Sequence, residues 1–156
     1  MTPTENMDLI LWRHADAQDG SPDMERPLTA KGRSQAKTVA AWLNMHLPAE
    51  ARILVSPALR TLQTADALER EYLVVQDLAP GEDATHVLNA AGWPDAKGTV
   101  LVVGHQPTLG ETASLLLFGQ AQGMSIKKGG VVWLTNRVRG EMPQTVLKAA
   151  MTPELL

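Results

Sequence analysis

The sequence contains no cysteine, which excludes disulfides, thiolate nucleophiles and cysteine-ligated zinc and agrees with a reducing compartment. Aromatic residues make up only 4% of the chain, and the four Trp, like the seven Met, are scattered; they read as core filler rather than a binding stripe. An excess of positive charge is missing too. Fourteen Lys and Arg stand against 17 Asp and Glu, a net charge of -3, so no basic stripe exists at whole-chain level to neutralise a nucleic-acid backbone. The opening MTPTENMDLILW has neither a basic leader region nor a long apolar run. No secretory signal, no membrane span and a cytoplasmic location are therefore expected. What is present is ordinary for a globular protein: 156 residues, 44% hydrophobic and 20% charged. A chain of that size buries roughly 70% of its unfolded surface, and a single domain over 1–156 is expected.

Short apolar runs at 9–12, 53–55, 73–75, 100–103 and 131–134 alternate with segments whose apolar residues recur at helical spacing, the pattern of an α/β domain with a mostly parallel central sheet. The first helix is predicted over 30–47, with Thr29 as N-cap, Ala36, Val39, Ala40, Leu43 and Leu47 on one side, and Pro48 ending it. A second is predicted to start at Ser56 and Pro57, hydroxyl cap followed by proline, and to run through Glu69. A third covers about 83–91. A fourth follows Pro107, with Leu109, Ala113, Leu116 and Leu117 inward, until Gly119 and Gly123 break it. Strand-like text returns at 130–136 and 145–149.

The polar residues fall at informative places. One strand runs into Arg13 and His14, a second into Ser56, Pro57 and then Arg60 in the first turn of a helix, and a third into Gly104 and His105. Crossover connections make such strands parallel, and ligands bind beyond their C-terminal edge. Two Arg and two His are therefore expected around one crevice, beside positive helix N-termini near Pro57 and Pro107. A phosphoryl dianion suits that charge. Nucleophilic imidazole chemistry needs a neutral ring with one nitrogen free toward phosphorus and the other proton held by an acceptor, and His14 is the candidate nucleophile. Arg13 and Arg60 would clamp phosphoryl oxygens bidentately and oppose protonation of His14. His105 would donate to the charge that spreads in the transition state. No metal and no cofactor is needed for this. His14, Ala15 and Asp16 spell a possible ligand fragment, yet no second ligand cluster accompanies it.

Four blocks in order, LILWRHA at 9–15, RPLTAKGRSQA at 26–36, VSPALRTLQT at 55–64 and VVGHQP at 102–107, resemble the signature of the histidine phosphatase superfamily, with its phosphoglycerate-mutase-like fold. Within it the chain is most similar to SixA-type phosphohistidine phosphatases. The resemblance implies a three-layer α/β/α sandwich, a phosphohistidine intermediate at His14, and phosphoryl binding by Arg13, Arg60 and His105, with water releasing phosphate in a second step. Two departures stand out. Ala15 follows the histidine where the family pattern has Gly. In addition, the segment QDLAPGED at 76–83 lacks the family's Glu acid motif, leaving Asp77, Glu82 and Asp83 as candidate proton donors.

An imidazole leaving group, with a conjugate-acid pKa of about 6.5 against roughly 15 for an alcohol, needs far less protonation. The missing acid motif therefore favours a phosphorus–nitrogen bond as the one cleaved. The short connection between Arg60 and His105 leaves no room for a cap that selects a small metabolite. The expected substrate is phosphohistidine on a protein, such as a histidine-phosphotransfer domain. The alternatives are a broad phosphomonoesterase or mutase-like enzyme acting on small phosphorylated metabolites, with Asp77 or Glu82 as acid, and a non-catalytic phosphoryl-binding module. Arg26 either lines the pocket entrance or pairs with Asp23 or Glu25. His46 and His86 are assigned to the surface, Gln63 and Thr64 to hydrogen bonds behind Arg60, and Gly129 and Gly130 to a turn.

Overall fold

The computed structural model describes residues 6–156; the first five residues of the segment read as lacking a leader lie outside them. Six strands form one mixed sheet: β1 (Met7–Arg13), β2 (Arg52–Val55), β3 (Leu73–Val74), β4 (Gly98–Gly104), β5 (Val131–Arg139) and β6 (Met142–Met151), in the order β3-β2-β4-β1-β5-β6. The first four are mutually parallel, and β5 and β6 form an antiparallel hairpin against β1.

The layers follow from alternation along strands that are buried on both faces. Leu9, Leu11, Val100 and Val102 pack on one side with Val87 of helix α3 (Ala84–Ala91) and Leu109 and Ala113 of α4 (Thr108–Phe118). Ile10, Trp12, Leu101 and Val103 pack on the other with Val39, Ala40 and Leu43 of α1 (Ala30–His46) and Ala65 of α2 (Leu59–Asp66). The result is the three-layer α/β/α sandwich. Truncating a side chain such as Leu101, fully buried, costs about 2–5 kcal/mol through lost transfer energy and the cavity left behind.

Local signals place most helix ends. Thr29 caps α1 by accepting from the Gly32 amide, Asp83 caps α3 through the His86 amide, and Gly119 closes α4 in the left-handed region. Differences from the sequence reading have physical causes. Helix α2 begins at Leu59, not at Ser56 and Pro57, because the Ser56 hydroxyl faces the His105 ring and the Ala58 amide instead of capping a helix. It ends at Asp66 rather than Glu69, which adopts a left-handed backbone. Strand β3 is a two-residue exposed edge, and the closing hairpin is longer than predicted. Met7, Trp12 and Trp133 are core residues, whereas Met24, Met45 and Met142 are exposed.

Candidate active site

Strand register builds the site. Arg13 lies opposite Gly104 across the β1–β4 pair, and Val55 lies opposite Val103 across β2–β4. His14 and His105 therefore leave the sheet at one level of its C-terminal edge, with Ser56 one residue behind them. The His14 amide donates to the Gly104 carbonyl at 3.0 Å, the His14 carbonyl accepts from Gly129 at 2.9 Å, and the Arg13 amide donates to Gly130 at 3.0 Å. The Gly129–Gly130 turn thus buttresses the end of β1; Gly129 also accepts from the Trp12 indole at 3.0 Å.

The His14 and His105 rings lie with centroids 5.4 Å apart, both side chains buried. Nδ1 of His14 sits 2.7 Å from the Ala15 carbonyl oxygen. A carbonyl only accepts, so Nδ1 carries the proton and the lone pair is left on Nε2. Burial is the main influence pulling the His14 pKa down to about 4; the Ala15 bond opposes it, and the charges of Arg60, Arg13 and Arg26 add to the lowering. His105 is lowered to about 3, first by burial and then by His14 and Arg60. Both rings are neutral near pH 7, the state from which a nitrogen can attack.

Arg13 donates from Nη1 to the Ile126 carbonyl at 2.7 Å. Arg60, in the first turn of α2, donates to the Asp23 carbonyl at 2.9 Å and to Oδ2 of Asp23 at 3.1 Å. Nε of Arg13, Nε of Arg60 and Nδ1 of His105 are buried without a hydrogen-bond partner. Buried polar groups are nearly always paired, so these three nitrogens, on two residues whose charges act on His14 and one whose ring lies beside it, fit an anion rich in acceptor oxygens. Nε2 of His105 is held 2.7 Å from the Ser56 hydroxyl.

The remaining predicted residues divide into two groups. Arg26 pairs with Asp23 at 3.0 Å and donates to the Gln18 carbonyl at 2.7 Å, while its charge still reaches His14. Asp23 therefore joins Arg60 to Arg26, and its bond to Arg60, 37 residues away, leaves no mark in the sequence. Thr64 and Gln63 bond as expected: Thr64 donates to the Arg60 carbonyl at 2.7 Å and accepts from Ala15 at 3.1 Å, and Gln63 accepts from Leu28 at 2.8 Å. Asp77 is exposed on a 3-10 turn, and the Glu82 carboxylate is engaged by His86 at 2.5 Å. His46 is exposed with its ring tilted against that of Trp42, and His86 is half-exposed.

The RPLTAKGRSQA block has a physical function that its letters hide. Thr29 bonds to Oδ2 of Asp16 at 2.7 Å, and Gln35 accepts from the Asp16 amide at 2.9 Å. A Cβ on Gly32 would lie 1.9 Å from the Asp16 carbonyl oxygen, so only glycine lets α1 approach the segment after His14. Ala15, Leu28 and Ala36 pack together in the same corner, which accommodates the methyl group at position 15. Asp16 is bound by Thr29 and by Lys128 at 3.0 Å, and among the described residues no group of three or more His, Cys, Asp or Glu could hold a metal ion. Nor is any described helix long and apolar enough to cross a membrane.

Comparison with known proteins agrees with this geometry. The profile of the histidine phosphatase superfamily (branch 1) matches residues 9–79. Phosphohistidine phosphatase SixA of Escherichia coli is 32% identical over 127 residues, covering 76% of this chain and 79% of its own. An uncharacterised protein of Picosynechococcus is 40% identical over 144 residues, covering 82% and 84%. Among solved structures, one described as a candidate phosphohistidine phosphatase SixA from Nakamurella multipartitia superposes with a TM-score of 0.82 at 28% identity, covering 97% of this chain and 99% of its own. The protein histidine phosphatase SixA complexed with tungstate gives 0.76 at 25% identity, covering 96% and 99%. On these matches and this arrangement of strand-end residues, the chain belongs to the histidine phosphatase superfamily and is a phosphatase.

Proposed function

We propose that this enzyme hydrolyses phosphohistidine carried on a protein, through a covalent phosphohistidine at His14. The observation that carries the reading is the pairing of an orphan lone pair with orphan donors: Nε2 of His14 is deprotonated because Nδ1 is committed to the Ala15 carbonyl, and Nε of Arg13, Nε of Arg60 and Nδ1 of His105 are buried and unpartnered. Nε2 attacks phosphorus while the phosphorus–nitrogen bond of the substrate breaks, and the departing imidazole takes its proton from solvent. Water then attacks phosphorus as the phosphorus–Nε2 bond to His14 breaks, one water proton passes to solvent, and phosphate leaves neutral His14. Arg13, Arg60 and His105 bind the three equatorial oxygens, where charge accumulates in both steps. Tungstate, the ligand held by one structural relative, is an oxyanion of comparable shape and charge.

The carboxylates considered as acids for an ester substrate do not favour that alternative. Asp77 is exposed and the Glu82 carboxylate lies against the half-exposed His86 ring, whereas an imidazole leaving group manages without either. Turnover of a phosphohistidine protein is therefore expected to exceed turnover of sugar phosphates and p-nitrophenyl phosphate in kcat/KM. A preference for the esters would overturn the assignment of substrate. Rapid quenching in base is expected to trap acid-labile phosphate on the wild type and none on His14→Ala; equal labelling of both would overturn the nucleophile, and labelling of neither would overturn the covalent intermediate.

A further inference from the structure

Next to the cluster of His14 and His105 lies a groove of about 760 Å³ bounded by the first turns of α1, residues 127–128 and the 3-10 turn Pro153–Leu155. Its charged lining is Arg13, Lys31, Lys127 and Lys128 against Glu154 alone. Lys127 is paired with Glu154 and Lys128 with Asp16, so Arg13 and Lys31 leave the groove with a net positive charge, opposite in sign to the chain as a whole, whose net charge is -3. The lysines are exposed, and Arg13 belongs both to this groove and to the residues around His14. A molecule seated in the groove thereby touches a residue whose charge also acts on His14.

We infer that the groove docks an acidic surface flanking the phosphohistidine of the protein substrate, an inference that rests on the substrate reading above. A phosphoryl group by itself offers few contacts with which to tell one carrier from another, so a crevice without a cap must draw selectivity from surface beside the reacting group. The groove already shows how a carboxylate fits: Oε1 of Glu154 lies 2.6 Å from Nζ of Lys127, and that bond holds the Glu154 carboxyl below its usual range. Glu154 is exposed and occupies the position that an acidic side chain of the partner would take. The charges steer the encounter and set KM; they take no part in the chemical step.

The test compares two substrates: a histidine-phosphotransfer domain phosphorylated on its histidine and acidic around it, and free phosphohistidine. Lys31→Glu combined with Lys127→Glu is the preferred variant, since Lys128 holds Asp16 beside the nucleophile. The double variant is expected to raise KM for the domain on the order of tenfold or more, as charge steering is lost, with kcat and all kinetics on free phosphohistidine unchanged. Glu154→Gln is expected to lower KM for the domain. Salt is expected to raise KM in the wild type and to do so less in the double variant. Unchanged KM for the domain, or equal losses on both substrates, would overturn the groove's role. Turnover of p-nitrophenyl phosphate with neither histidine substrate cleaved would instead overturn the substrate reading, and the docking inference with it.

Discussion

The end of β1 and the end of β4 each present a buried histidine, but the two rings are held by different chemistry. His14 is fixed by a carbonyl, Ala15, and His105 by a hydroxyl, Ser56. A carbonyl oxygen cannot donate, so His14 is locked in one tautomer. A hydroxyl both donates and accepts, so when Ser56 donates to Nε2 of His105, Nδ1 carries the proton and faces its own lack of a partner as a donor. Permanence suits a nucleophile whose lone pair must always be available. Adjustability suits a group that responds to charge arriving on a phosphoryl oxygen.

Replacing each ring sharpens that contrast most. His14→Ala is expected to lower kcat on the order of 10⁶-fold, the scale seen when an enzyme loses its nucleophile, while phosphate binding stays measurable by calorimetry because both Arg remain. His105→Ala is expected to cost on the order of 10²- to 10³-fold in kcat, as removal of one transition-state donor does. Losses of equal size would mean that the two rings share one role. Ser56→Ala is expected to lower kcat about tenfold with little change in KM, from the net value of one buried hydrogen bond. A KM effect without a kcat effect would place Ser56 in substrate binding.

The pH behaviour tests the environment that the two rings share. Their pKa values of about 4 and about 3 lie below the ordinary 6.5. The reactive neutral form of His14 therefore persists as pH falls, and the acid limb of kcat/KM, corrected for substrate ionisation, is expected near pH 4. A limb at 6.5 would contradict the burial and the Arg field. Stability carries the opposite sign. Between about 6.5 and 4 the unfolded chain takes up protons on these histidines and the native one does not, so acid favours unfolding over that interval. Denaturant midpoints are expected to fall from pH 7 to pH 4.5, and to fall less in His14→Gln.

Much of this was legible in the sequence because local rules govern it. Apolar runs ending in Arg13-His14 and Gly104-His105 needed only the strand-edge rule, and Thr29 and Gly119 announced their helix ends by residue type. The misplaced start of α2 shows where such rules stop. Ser56 followed by Pro57 is a strong cap signal, yet the hydroxyl is drawn away by a histidine 49 residues distant. The tie from Asp23 to Arg60 and the contact of Gly32 with Asp16 escaped notice for the same reason, since neither leaves a trace in spacing or periodicity. The basic groove was hidden by averaging: a net charge of -3 conceals lysines gathered from distant parts of the chain.

The pairing of β1 with β4 has one more consequence. Its register decides both which side chains face each helical layer and which residues meet at the catalytic edge. A slip of one residue would bring Arg13 to the place of His14 and would turn Leu9, Ile10, Leu11 and Trp12 each onto the wrong layer at once. Misalignment at the reacting end is thus coupled to collapse of the interior, so the chain has no cheap route to a well-packed but inert isomer of itself.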